Sequence, residues 1–164
     1  MNDIVLDELF SLQKGLDETI HAEHGVSYDD THYKRILALL VELGEFSNET
    51  RCFKFWSLKG PSSKETIMDE YADGMHFFLS LGIPLGVVSY THKFAPDQKE
   101  LTMQIVKTYK LVTDLLSDYE AKSYAVAFSS FLNILPLLGY DGEDAISAYK
   151  KKLQVNYDRQ KTGY

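Results

Sequence analysis

LLVELGEFSNET at residues 39–50 and IMDEYADGMHF at residues 67–77 are the two stretches that decide how this chain folds. The first holds Glu42 and Glu45 as E-x-x-E. The second holds Glu70 and Asp73 as E-x-x-D, with Glu45 and Glu70 25 positions apart. Helix positions three apart share a face, so each pair projects two carboxylates from one stripe. Two such helices facing each other bring four carboxylates together. Clustered negative charges repel strongly at low effective dielectric and stay ionised together only when cations neutralise them. All-oxygen ligation suits Mg2+, with Mn2+ as a second choice, and these ions also bind substrate phosphates. The apolar neighbours Val41, Leu43, Phe46, Met75, Phe77 and Phe78 set both pairs apart from ordinary solvated acids, because embedded carboxylates need partners or metals. The spacing points to a helical, magnesium-dependent, phosphate-handling protein.

Glu49 lies seven residues after Glu42 and falls on the same stripe. Its reading stays open between an outer ligand, a general base and a solvated helix-end acid. Asp73 and His76 also form D-x-x-H, close to the Glu-x-x-His element that di-iron bundles use twice. No histidine stands beside Glu42 and Glu45, which favours Mg2+ over iron.

The bulk properties narrow the class. A chain of 164 residues, 45% hydrophobic and 25% charged, is one domain with a core of its own. The net charge of −7 argues against non-specific nucleic-acid binding, though not against a nucleotide substrate, since a bound metal inverts the local field. Cys52 is the single cysteine, so no intrachain disulfide forms. The opening MNDIVLDELF lacks the basic and apolar regions of a secretory signal, and the sequence reads without a membrane-spanning window. The expectation is a soluble, cytoplasmic protein with no nucleic-acid or membrane partner.

Hydrophobic spacing reads as helical nearly throughout, giving an all-α, single-domain bundle of about six helices. The expected helices run over residues 3–23, from a cap at Asp29, Asp30 or Thr31 to about Phe53, and over 63–81 behind a Ser62/Glu65 capping box. Further helices are expected from Pro96 and Asp97, with Leu115 and Leu116 inward, over 119–138 with a kink at Pro136, and over 143–152. GVVSYTHKFAPD at 86–97 reads as a loop with room for a short extended piece. The tail LQVNYDRQKTGY is polar, shows little apolar periodicity, and reads as a segment that does not pack as a core helix.

Two segments outside the acidic pairs carry binding chemistry. RCFKFWSLK at 51–59 holds Trp56, the only tryptophan, near Lys54 and Lys59. It is either a core aromatic at a helix end or a stacking plate for a base with lysines for phosphate. NYDRQKTGY at 156–164 supplies Asn156, Arg159, Gln160 and Tyr164. Arginine suits bidentate phosphate contacts, and the segment is either a frayed terminus or a flap that orders over phosphates.

Together these segments resemble the dimeric, all-α dUTPase family, within the wider group of all-α nucleoside triphosphate pyrophosphatases. The resemblance covers nearly the whole chain. It rests on LQKGLDETI at 12–20, E-x-x-E at 42–45, KFW at 54–56, E-x-x-D followed by GMHFFLS at 70–80, and N-x-x-R-Q-x-x-G-Y from Asn156 to Tyr164. It implies an all-α pyrophosphatase fold with a catalytic domain over 1–152 and a phosphate-binding flap over 153–164. It implies Mg2+-dependent hydrolysis of dUTP and dUDP to dUMP in a homodimer, with attack at the β-phosphate. Glu42, Glu45, Glu70 and Asp73 match the family's metal ligands, and Glu45, Glu42 or Glu49 stands as the base. Gln13 matches a uracil-side amide, Trp56, His76 and Phe78 fall near the base and deoxyribose pocket, and Arg159 with Lys54, Lys152, Asn156, Gln160 and Tyr164 matches the phosphate side. Asp17 stands where many members carry asparagine. Related proteins of viral or mobile-element origin partner with a repressor. The competing classes are a sister pyrophosphatase acting on dCTP or a damaged triphosphate, and a non-catalytic helical interaction protein.

Overall fold

Helix α2 (Tyr28–Thr50) and helix α3 (Lys64–Gly82) form the axis of the molecule in a computed structural model that describes residues 1–164. They run antiparallel: Arg35 on α2 meets Ser80 on α3, while Glu42 and Glu45 meet Glu70 seven or more residues along each helix in opposite directions. Helix α1 (Asp7–His24) and helix α7 (Gly142–Lys161) pack on one side of α3. Helices α4 (Leu101–Asp114), α5 (Ala121–Leu132) and α6 (Ile134–Leu138) close the other side, with a 3-10 turn at Ile83–Leu85. The protein is therefore all-α, apart from one two-residue pairing of β1 (Ile4–Val5) with β2 (Thr91–His92), antiparallel with Ile4 opposite His92.

Local chemistry fixes the ends of the two central helices. Ser27 caps α2, two residues before the earliest expected cap, and Ser27 and Asp30 form a reciprocal capping box. Ser63, rather than Ser62, caps α3 by accepting from the Thr66 amide. Ser62 is drawn off instead by Glu49, whose carbonyl accepts from its amide and whose carboxylate accepts from its hydroxyl. Glu65 is likewise engaged elsewhere, by Lys151. Gly82 ends α3 where a Cβ would come within 2.5 Å of the Tyr124 hydroxyl, so that approach requires glycine.

The core is aromatic and centred on α3. Phe78 stacks on Phe128 with ring centroids 5.1 Å apart, and Tyr71 stacks on Phe131 at 4.2 Å. Both α3 rings are fully buried. Their depth anchors α3 and thereby the side chains on its opposite face.

Several sequence expectations are corrected here. Helix α1 begins at Asp7, because residues 4–5 pair with β2. Helix α4 starts at Leu101 rather than at Pro96 or Asp97, and Asp97 instead pairs with Lys107. Leu115 is buried but Leu116 is exposed. The expected kink near Pro136 is a break at Asn133, which separates α5 from α6 and whose side chain clamps His92 and Ala95. The stretch Ala121–Leu138 is long and apolar enough to cross a membrane by composition, contrary to expectation. Its inward face, including Tyr124, Phe128, Phe131 and Leu135, is fully buried in the core. The largest difference is the tail, where α7 continues unbroken to Lys161. Lysine, glutamine and arginine are good helix formers, and beyond the buried Ala145 and Tyr149 this helix docks through Lys152 and the partly buried Leu153.

Candidate active site

Glu42, Glu45 and Glu70 carry carboxylate oxygens that all lie within 4.8 Å of one another. The i, i+3 spacing on α2 and the antiparallel packing on α3 produce this convergence. Glu42 is the innermost of the three: its Oε2 is buried without a hydrogen-bond partner. Burial, a hydrogen bond with Glu45 and the charges of Asp73, Glu45 and Glu70 push its carboxyl up to about 8. Burial and the charges of Asp73 and Glu45 raise Glu70. An uncompensated cluster of this kind is under strong mutual repulsion, and a divalent cation relieves it. The donor set, all oxygen with one orphaned buried atom, fits a hard divalent ion.

Asp73 shares the α3 face with Glu70, but its carboxylate is in other hands. Lys152 on α7 donates to Asp73 at 2.9 Å and to Asp69 at 2.8 Å. Burial disfavours the Lys152 ammonium, yet its two carboxylate bonds outweigh that and raise its pKa. Burial raises Asp73 while the bond from Lys152 opposes the shift.

Beside the carboxylates opens a cavity of about 400 Å³ lined by α1, α2, α3 and the end of α7. Glu42 and Asp73 stand at one end. His76 and Phe77 follow one turn along α3, and Ser80, Arg35 and Asp17 lie one turn further. The polar floor is a closed network. Gln13 donates to Asp17 Oδ1 at 2.9 Å, and Tyr28 and Ser80 donate to Asp17 Oδ2 at 3.0 and 2.7 Å. Arg35 holds Ser80 at 2.8 Å, and its guanidinium also reaches Thr31 and His21. Burial and the Asp17 charge raise the Tyr28 phenol, while burial and Arg35 lower His21. Asn156, Arg159, Gln160 and Tyr164 line the mouth, with the Arg159 guanidinium 4.7 Å from the Tyr164 ring and Gln160 bonded to His24.

The sequence-derived residues divide accordingly. Glu42, Asp73, Gln13, Asp17, His76, Asn156, Arg159, Gln160 and Tyr164 all line the cavity, and Glu45 and Glu70 complete the acidic cluster at its end. Glu49 stands outside that cluster, held by Ser62, because seven residues along a helix carry it about 10 Å from Glu42. Phe78 points into the core; Phe77, four residues after Asp73 and on the same helix face, lines the cavity in its stead. Lys152 faces Asp69 and Asp73 rather than the cavity. Trp56 is 65% exposed on the loop after α2, with Phe55 93% exposed beside it and Lys54 packed over Phe53, away from the cavity of their own chain. Arg35, Ser80, Tyr28 and Tyr149 went unread in the sequence. Ser80, at seven residues from Asp73 and four from His76, carried a same-face signal; the two tyrosines carried none.

Clustered carboxylates at one end of a polar, nucleoside-sized cleft in an all-helical domain are the equipment of a nucleotide-hydrolysing enzyme. A family model described as dUTPase matches residues 5–164, and the chain belongs to that family. Its activity is hydrolysis of dUTP. A search among curated proteins found no match.

Proposed function

We propose that this dUTPase hydrolyses dUTP and dUDP to dUMP with Mg2+, or Mn2+ in its place, held by Glu42, Glu45, Glu70 and Asp73. The carrying observation is the convergence of three carboxylates within 4.8 Å, one with a buried oxygen lacking any partner. When bound, the cation supplies positive charge against the phosphate oxygens. Glu45, the exposed member of the trio, or Glu42 orients the attacking water and takes its proton. Arg159 and Asn156, on the face of α7 that meets the cavity mouth, grip the phosphates, with Tyr164 and Gln160 closing over them. Were Asp73 to hold the cation, Lys152 would be free to join that grip. Gln13, oriented by Asp17, meets the base side, and Phe77 fills the wall against the sugar.

The working unit of this reading is a homodimer in the cytoplasm. Tyr33, Leu37 and Val41 form an exposed apolar stripe on α2, beside the exposed Met103 and Val106 of α4. Phe55, Trp56 and Leu58 stand exposed on the adjoining loop. A second copy covers these surfaces and receives Trp56 and Lys54 at its own substrate cleft. The test is a product assay with dUTP, dUDP, dCTP, dTTP and UTP, with and without Mg2+, alongside sedimentation analysis. Preference for dUTP that requires the metal supports the reading, and equal turnover of dCTP contradicts it.

A further inference from the structure

Arg35 lines the cavity from α2, yet each of its hydrogen-bond partners is uncharged. It stands seven residues before Glu42, about 10 Å along the helix, at the end of the cavity away from the carboxylate cluster. A guanidinium only donates, so His21 Nε2, 2.6 Å away, accepts and that ring is neutral. A second amine group donates to Thr31, and Nε donates to Ser80 Oγ at 2.8 Å. The same guanidinium lies 4.8 Å over the Tyr28 ring. Ser80 and Tyr28 are in turn two of the donors to Asp17, so the arginine stands one hydroxyl away from that carboxylate on two sides. Ser80 has a single proton. With the Arg35 Nε–H aimed at its oxygen, that oxygen accepts, and its own proton goes to Asp17 Oδ2 at 2.7 Å. Without Arg35 the hydroxyl is free to turn to the carbonyl one helical turn back, the ordinary bond of a serine inside a helix.

The consequence is a fixed acceptor. A carboxylate offers about four lone-pair sites. Tyr28 and Ser80 fill two on Asp17 Oδ2, and Gln13 Nε2 fills one on Oδ1 at 2.9 Å, which leaves one on Oδ1. Gln13 has spent one of its two amide protons on that bond and keeps the other. Both residues line the cavity. An acceptor beside a donor matches an N–H beside a carbonyl, which is the imide edge of uracil. At the same ring position cytosine presents a bare nitrogen, whose lone pair meets the lone pair of the carboxylate. We infer that Arg35 is a positioning residue for base selection: through Ser80 and Tyr28 it pins Asp17 as an acceptor that takes an imide N–H and refuses the unprotonated ring nitrogen of cytosine. The ligand class is a nucleotide whose base carries an imide N–H. The inference rests on the proposed reading that Gln13 and Asp17 meet the base.

The test reads kcat/KM for dUTP against dCTP in the native enzyme, Arg35→Met, Ser80→Ala and the double variant, each checked for native helicity. Each single change is expected to lower the preference for dUTP about 10-fold, with more of the loss in KM than in kcat. The double variant is expected to fall no further than Arg35→Met, because both changes cut the same relay. An additive loss of about 100-fold in the double variant overturns the inference, since Arg35 then acts independently of Ser80. Equal losses on both substrates, the mark of a merely structural role, leave the ratio unchanged and overturn it as well. Ser80→Ala removes a single oxygen and decides the matter alone where Arg35→Met does not fold: an unchanged ratio there overturns the inference. A native enzyme that fails to turn over dUTP, or turns over dCTP equally well, contradicts the proposed function. Native selectivity that survives both single changes contradicts the role of Arg35 alone.

Discussion

Lys152 and Asp73 meet at 2.9 Å between α7 and α3, so a lysine already holds the aspartate that shares the α3 face with Glu70. The same ammonium binds Asp69 at 2.8 Å and is 5% exposed. It ties the helix whose end lines the cavity mouth to the helix that carries Glu70 and Asp73.

Replacing that lysine with a neutral side chain of similar length tests the tie. Lys152→Met leaves Asp73 half-buried and unpaired, at a cost of about 2 kcal/mol to the metal-free protein. Mg2+ is expected to restore more stability to the variant than it adds to the native protein, because the lysine no longer competes for Asp73. Urea unfolding in chelator and in Mg2+ measures both quantities.

Glu42 makes the metal-free fold sensitive to pH. Its carboxyl is raised from 4.5 to about 8 in the folded protein. A group raised on folding contributes stability that is fully present below its unfolded pKa and lost as pH rises through the folded value. The buried His76, held down at about 3, works the other way below its ordinary 6.5, where the unfolded chain takes up a proton that the fold refuses. The clean window is therefore pH 6.5 to 8. Melting temperature in chelator is expected to fall across it, and Glu42→Gln to flatten the fall. Added Mg2+ should reduce the loss in the native protein and have little effect in the variant. Differential scanning calorimetry at several pH values reads all three.

Phe77 and Phe78 are adjacent in sequence and have opposite duties. Phe78→Ala empties a fully buried site between Phe128 and Phe131 and is expected to cost about 3–5 kcal/mol of stability. Phe77→Ala, on the cavity side, is expected to cost far less stability and to raise KM for dUTP several-fold. Thermal melts and steady-state kinetics on the two variants separate the roles.

The last two turns of α7 line the cavity rather than the core. Ala145 and Tyr149 anchor the start of that helix and are fully buried, whereas Asn156, Arg159, Gln160 and Tyr164 line the cavity mouth. Deleting residues 156–164 is expected to lower kcat/KM by about 100-fold or more while moving the melting temperature by only a few degrees. Circular dichroism and a product assay on the truncated chain measure the two effects.

The acidic pairs were legible because helical geometry turns i, i+3 spacing into a shared face with no help from tertiary contacts. The fold class followed from apolar periodicity for the same reason. The extent of α7 was not legible, since beyond Leu153 its cavity-facing positions are Asn156, Arg159 and Gln160, which leave no apolar trace. Phe78 was misassigned because a motif aligned on residue type does not say which of two neighbouring aromatics faces the cleft; the helical angle from Asp73 does. The Ser62 capping box failed through competition, as Glu49 takes both polar groups of Ser62 and the cap moves to Ser63. The floor network of Tyr149, Gln13, His76 and Asp17 joins residues up to 136 positions apart, a relation that only the folded chain contains.

The most direct measurement is dUTP turnover by the native protein, Glu45→Gln and Asp73→Asn, each with and without Mg2+ and each checked for native helicity. The account predicts metal-dependent conversion of dUTP to dUMP by the native protein and loss of at least about 100-fold in both variants, with helicity unchanged. Native-like turnover in either variant, or equal turnover in chelator, would contradict it.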